Sequence, residues 1–428
     1  MRKFILVSLL FLAACGGGGG GAGAVANNSV ANVATCALRD TTTFVPNAYY
    51  GQYPIPTPTS NFDSAIVRSI TIKDYYPVDN NINCGPYEYT RLLYSKTLDR
   101  LQTLGVDVVE INNYGPVTDF NASKWVVEES VRQIPENELI WFIQEANKRN
   151  IKVNLIWQLW PIDRSGNTMD TSMNASEEYM LKVLRGWHDI IVDLAKFGNR
   201  SGLNILTIHW NANYFPVTSK YKNSATEEFV SIATDVKKYF NGKLYMGALP
   251  IFFDKRLVDK VDAIIVPLNP SNWSYMDDFN LSVSLLKDRY KDSIFGNALN
   301  LESMTGMSAK NIPIIWDLMV QTRDKALSQG WVEDGFCITP TSNNGAVSYN
   351  DPLCVQKNYV TDFSIQANAY EAAFQAIKEQ TYAKTYGVTV STYWHTDTLT
   401  PGNEGFPNLS ASIRGKPSEN IIKYWYKK

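Results

Sequence analysis

An indole, an imidazole and a carboxylate crowd one short stretch near the end of the chain, Trp394-His395-Thr396-Asp397, directly after the β-branched run Val388 to Tyr393. Such a set can stack on a flat apolar face, bind hydroxyls and exchange a proton. Related groupings recur upstream: Asp74-Tyr75-Tyr76, Asn112-Asn113-Tyr114, Gln158-Leu159-Trp160, His209-Trp210-Asn211-Ala212-Asn213, Asn269 to Trp273, and Trp316-Asp317. Aromatic faces beside amides and carboxylates suit a polyhydroxylated ring, whose C–H faces stack while its hydroxyls need bidentate partners. The candidate carbohydrate contacts are therefore Tyr114, Trp160, His209, Asn211, Asn213, Trp273, Trp316, Trp394 and His395. For acid–base or nucleophilic work the candidates are Asp317, Asp397 and Glu110. Two carboxyls about 5–5.5 Å apart would cleave a glycosidic bond with retention, and about 6.5–9.5 Å apart with inversion. His188 falls on an amphipathic helical stretch and reads as structural, and no histidine or cysteine grouping has metal-ligand spacing, so neither a metal nor a cofactor is expected.

These groupings need elements to position them. Strand-like runs span Ala65–Tyr76, Val106–Asn112, Ile151–Gln158, Leu203–Trp210, Lys243–Ala248, Asp262–Leu268, Ile312–Met319 and the run after Gly387. Helical periodicity falls between many of them, at Tyr87–Thr103, Pro135–Asn150, Ser176–Phe197, Ala225–Phe240, Ser364–Gln380 and Pro417–Tyr426. Eight strands alternating with helices predict an α/β protein, a single (β/α)8 TIM barrel, with its chemistry on the loops at the carboxyl ends of the strands. An open doubly wound sheet would call for a Gly-rich phosphate turn after a strand, and the chain has none.

The amino terminus is of a different kind. A basic start, Met1-Arg2-Lys3, precedes a short apolar core from Phe4 to Leu12 and a small-residue site ending in Cys15. That core is too short to span a bilayer, so it reads as a signal peptide. It resembles a bacterial lipoprotein signal, which implies lipidation of Cys15. Gly16 after the cysteine implies sorting to the outer membrane of a Gram-negative bacterium. The Gly-rich run that follows and the Pro-rich stretch Tyr53 to Thr59 read as tether and lead-in, giving three parts: 1–15 signal, 16–60 tether and lead-in, 61–428 barrel. The remaining cysteines, Cys36, Cys84, Cys337 and Cys354, are even in number and suit two disulfides. Of three connectivities, Cys36–Cys84 with Cys337–Cys354 is favoured because each closes a local loop. With 40 basic and 42 acidic residues the chain has no charge excess that would call for nucleic acid as a partner. The expected partners are a carbohydrate and, through the lipid alone, a membrane.

Four segments carry a wider resemblance: Asn112 to Phe120, Val153 to Leu159, Tyr393 to Thr398 and Ser412 to Ser418. They are similar to the glycoside hydrolase clan A barrels, in particular the β-mannanase-like and cellulase-like families, and the similarity covers Ser64 to Tyr426. The resemblance implies retaining hydrolysis by a Glu after the fourth strand, usually preceded by Asn, and a Glu ending the seventh. Here Asn211 matches the Asn, Ala212 stands where the first Glu belongs, and Asp317 stands near the second, with a side chain shorter by about 1.5 Å. Two functions follow as expectations: an outer-membrane-anchored glycoside hydrolase acting on a β-linked polysaccharide or oligosaccharide, or a catalytically inactive barrel lipoprotein that binds glycans in an aromatic-lined cleft.

Overall fold

The structure is a computed structural model that describes residues 54–72, 87–127 except 116 and 118, 134–159, 163, 167–210 except 171, 217–248, 254–268, 282–322 except 321, 332–333, 336–338, 346–348, 362–394 and 411–427. Eight parallel strands close into a barrel: β1 (Val67–Ile72), β2 (Val108–Gly115), β3 (Lys152–Leu159), β4 (Ile205–Trp210), β5 (Lys243–Ala248), β6 (Ala263–Pro267), β7 (Pro313–Leu318) and β8 (Lys384–Trp394). Each strand pairs with its neighbours in sequence, and β1 closes the ring against β8. This is the (β/α)8 architecture that the alternation of elements predicts.

Long helices follow the strands: α1 (Glu88–Thr103), α2 (Glu136–Lys148), α3 (Glu177–Ser201), α4 (Lys222–Tyr239), α5 (Val283–Thr305), α6 (Phe363–Glu379) and α7 (Pro417–Trp425). Their ends carry the expected devices. Ser176 accepts a hydrogen bond from the Tyr179 amide at the start of α3, Ser282 does the same for Leu285 at α5, and Pro417 opens α7. The sequence reading marks no helix where α5 lies. Its buried residues, Leu286, Tyr290, Ile294, Ala298, Leu301 and Thr305, form one stripe, but Leu285, Phe295 and Leu299 are exposed on the same helix, so apolar residues fall on both sides and the periodicity is faint.

Two apolar clusters divide the interior. The larger lies between strands and helices and contains Trp157, Trp187, Trp316 and Trp425, all essentially inaccessible. The smaller, inside the barrel, consists of Val108, Ile205, Tyr245, Ala263, Ile265 and Ile315, with Val67 and Tyr386 against it. Two residues further along the same strands the inward positions become polar: Val108 gives way to Glu110, Ile205 to Thr207 and Ile315 to Asp317. The barrel therefore has an apolar floor with a polar layer toward its C-terminal rim.

The last helix seals the amino end of the fold. Phe62 sits 5.0 Å from the Trp425 ring and 5.2 Å from Phe374, and Thr59 donates from both its amide and its hydroxyl to Glu371. Gly105 ends the α1 turn at φ +82°, and a β-carbon there would lie 2.3 Å from the Tyr426 carbonyl oxygen. Only glycine meets both constraints. Between β7 and α6 a small antiparallel sheet joins residues Val332–Glu333, Phe336–Ile338 and Ala346–Ser348, with Cys337 on its middle strand.

Candidate active site

The polar layer is built from strands that are adjacent only because the barrel closes. Glu110, on β2, is 2 % exposed. Its Oε2 accepts from the Thr71 hydroxyl on β1 at 3.0 Å, and its Oε1 accepts from Asn154 Nδ2 on β3 and from the Thr389 hydroxyl on β8, both at 3.2 Å. Asn154 is oriented in turn by Thr207 on β4, whose hydroxyl donates to Oδ1 at 2.8 Å. Burial pushes the Glu110 carboxyl above the ordinary range, and the three donors pull it partly back.

Asp317 faces the same interior from β7. The neighbouring Ser391 hydroxyl on β8 favours its ionised form, while its Oδ1 is shut off from solvent and has no hydrogen-bond partner. Burial, reinforced by the negative charge of Glu110 and opposed by the Ser391 bond, raises its carboxyl to about 7. The Ser391 hydroxyl also lies 3.1 Å from that of Thr71. Hydrogen bonds thus join Glu110 to Thr71 and Thr71 to Ser391, across β2, β1 and β8.

His209, on β4, also belongs to this region. It lies in register with Gly247 on β5, and burial lowers the imidazole to about 4, so it is neutral at physiological pH. Among the described residues no three His, Cys, Asp or Glu side chains converge as a metal site would require.

The sequence candidates separate accordingly. Asp317, Glu110 and His209 share the barrel interior. Glu110 differs from its expected role: with both oxygens engaged and almost no exposure, it cannot touch a substrate and instead sets the field around Asp317. Trp316 is a correction. It is fully buried in the cluster between strands and helices, and its Nε1 donates to Thr385 at 3.2 Å. Adjacent strand residues face opposite ways, so placing Asp317 inward turns Trp316 away from any cleft. Tyr114 and Trp394 occupy the C-terminal ends of β2 and β8. Trp160, Asn211, Asn213, Trp273, His395 and Asp397 lie outside the described residues, as do Cys15, Cys36, Cys84 and Cys354. Thr71, Asn154, Thr207, Thr389 and Ser391 went unmarked in the sequence. Hydroxyl residues on strands look like ordinary β-formers, and only alternation with inward apolar positions could have flagged them.

No protein-family model and no curated protein matches the chain. Solved structures do match in fold. A GH113 β-1,4-mannanase superposes with a TM-score of 0.52 at 14% identity, covering 85% of this chain and 99% of its own. The GH113 β-mannanase AaManA from Alicyclobacillus acidocaldarius, in complex with ManMIm, gives 0.50 at 15% identity, over 86% and 99%. GH5_18 from Streptomyces cattleya, in complex with GlcNAc, gives 0.50 at 12% identity, over 84% and 80%. At such identities the likeness is one of architecture: the chain is a single (β/α)8 barrel with Glu110 buried and Asp317 partly exposed beneath its C-terminal rim.

Proposed function

We propose that this chain is a glycoside hydrolase acting on a β-linked polysaccharide or oligosaccharide, with Asp317 giving its proton to the leaving glycosidic oxygen. The observation that carries the reading is the state of Asp317, an inward carboxyl on the seventh strand whose affinity for a proton is raised to about 7. A general acid must hold its proton at working pH and release it readily, and a carboxyl poised there does both. The architecture shared with β-mannanases supports the substrate class. Glu110 is too enclosed to reach a sugar, so the second carboxylate must come from the rim, and Asp397 is the sequence's nominee. Cys15 is read as the lipid attachment point that tethers the barrel to the outer membrane, which mass spectrometry of the amino-terminal peptide would test.

One feature favours a second reading. Ala212 occupies the place where the resemblance calls for an acid/base Glu, which suits a barrel that binds glycans without cleaving them. Incubation with β-mannan, β-glucan and β-xylan separates the two. Release of reducing ends by the wild type, lost in Asp317→Asn, is the expected result. Binding to any of these glycans without cleavage would replace the hydrolase with the binding protein.

A further inference from the structure

One hydroxyl at the open end of the polar layer has its direction set from below. Ser391, on β8, is partly exposed, and its hydroxyl makes one hydrogen bond among the described residues, the 3.1 Å contact with Thr71. Because Thr71 itself reaches Glu110 inside the barrel, Ser391 faces inward and meets solvent through the C-terminal opening. Distance alone lets either oxygen donate in the Thr71–Ser391 contact. What decides is the next contact down, 3.0 Å from Thr71 Oγ1 to Glu110 Oε2. A hydroxyl carries a single hydrogen, so Thr71 cannot donate to both neighbours.

As a carboxylate, Glu110 has no hydrogen to give. Burial weighs against its charge, but three donors converge on its two oxygens, the hydroxyls of Thr71 and Thr389 and the amide of Asn154, and such bonds favour the ionised form. Turning the Asn154 amide around would set its oxygen against the carboxylate and strip it of the Thr207 hydroxyl, which Oδ1 accepts at 2.8 Å. Thr71 therefore donates to Glu110 and accepts from Ser391, whose hydrogen is used up inside the layer. Only lone pairs of Ser391 Oγ are left to face the opening. We propose that an ionised Glu110, acting through Thr71, holds Ser391 as a pure hydrogen-bond acceptor at the floor of the opening, where it takes the hydrogen of a ligand hydroxyl. Glu110 and Thr71 are positioning residues, and Ser391 is the contact. That the ligand is a glycan rests on the hydrolase reading; the direction of the hydroxyls does not.

The arrangement discriminates between ligand atoms. A sugar hydroxyl can donate to Ser391, whereas a ring or glycosidic oxygen, which has no hydrogen, would meet lone pairs there. An unconstrained serine would rotate to suit either. The polarity can also be reversed by a change that keeps the shape of residue 110. In Glu110→Gln the side that meets Asn154 Nδ2 must keep an oxygen, so the new amide nitrogen faces Thr71. Thr71 then accepts from the amide and donates to Ser391, and the Ser391 hydrogen turns to the opening.

Neutron diffraction from deuterium-exchanged crystals of the full-length protein locates these hydrogens without any glycan, so its failure is distinct from failure of the hydrolase reading. In the wild type at about pH 7 the Thr71 deuterium should point to Glu110 and that of Ser391 to Thr71. In Glu110→Gln both should be reversed. Binding of methyl β-mannoside, followed by NMR, should weaken about threefold to tenfold in Ser391→Ala and in Glu110→Gln alike. Adding Thr71→Val to Glu110→Gln cuts the link and frees Ser391 to accept again. It should restore the lost affinity, a rescue that loss of charge or of packing alone would not give. Thr71→Ala serves if Thr71→Val does not fold. A wild-type Ser391 deuterium aimed at the opening, or no rescue when the link is cut, would overturn the proposal. A wild type that binds no mannoside counts against the glycan reading, and the deuterium positions then decide the polarity by themselves.

Discussion

The imidazole of His209 lies against Gly247 so closely that a β-carbon on residue 247 would come within 2.8 Å of Nδ1. The two residues are register partners on β4 and β5, and the missing side chain on one makes room for the ring of the other. Burial is what lowers the proton affinity of the ring. Gly247→Ala should displace the imidazole while the barrel stays folded. The cost should be about 1–3 kcal/mol of stability, together with a fall in glycan affinity. Urea unfolding and affinity electrophoresis on the same variant would measure both, and unchanged glycan affinity would remove His209 from the binding surface.

Asp317 makes stability depend on pH in a direction opposite to that of most carboxylates. Its folded-state value, about 7, lies above the ordinary 3.8, so between these values the folded protein binds a proton that the unfolded chain does not. Stability supplied by this group is full below about pH 4 and is lost as pH rises through about 7. Asp317→Asn should therefore change little at pH 4 and stabilise the protein by roughly 2–4 kcal/mol at pH 8. Calorimetric melting across this range checks the slope, and a gain that is the same at every pH would refute the assignment.

His188 behaves in the same sense, starting from a higher unfolded value. It bridges α3 and α4, with Nδ1 2.9 Å from Glu228 and Nε2 3.1 Å from Asp235, and the Glu228 bond does most to raise its proton affinity. A histidine raised in this way contributes stability that is fully present below about pH 6.5 and disappears as pH climbs through the folded-state value. His188→Gln should cost about 1–2 kcal/mol at pH 5.5 and less at pH 9. Chemical denaturation at the two pH values would test the difference.

Gly186 forms the seat for Trp125. A β-carbon there would approach the indole Cδ2 to 2.2 Å, and Trp125 is itself fixed by donating from Nε1 to the Phe120 carbonyl oxygen. Gly186→Ala gains helix propensity within α3 but must displace the indole and with it the loop that follows β2. A net loss of about 1–3 kcal/mol is expected, and Trp125→Leu in the same background should recover part of it. Thermal melts of the two single variants and the double variant decide whether this contact is the cause.

Much of the architecture was legible in the chain because it rests on local physics. β-Branched runs, helical periodicity and their alternation define eight strands and most of the helices, and the same reading placed Asp317 on the seventh strand. What it could not settle was which way each side chain points. Parallel barrel strands are buried on both faces, so they read as continuous apolar runs with no polar side to set the phase. That is why Trp316 passed for a cleft residue although its neighbour Asp317 takes the inward position.

The phase on β8 is subtler still. Its register against β7 shifts between Thr385 and Gly387, so Tyr386 is an extra residue, and straight alternation from Tyr386 would send Thr389 and Ser391 outward. The bulge turns both hydroxyls into the barrel, where Thr389 reaches Glu110 and Ser391 reaches Thr71. Sequence alone determined that this chain would make a barrel with acids near its rim. Only closure of β1 on β8, together with that one-residue shift, decided that Thr71, Thr389 and Ser391 would gather around Glu110 in the layer that also holds Asp317, because pairing of residues hundreds of positions apart depends on register, which no local propensity encodes.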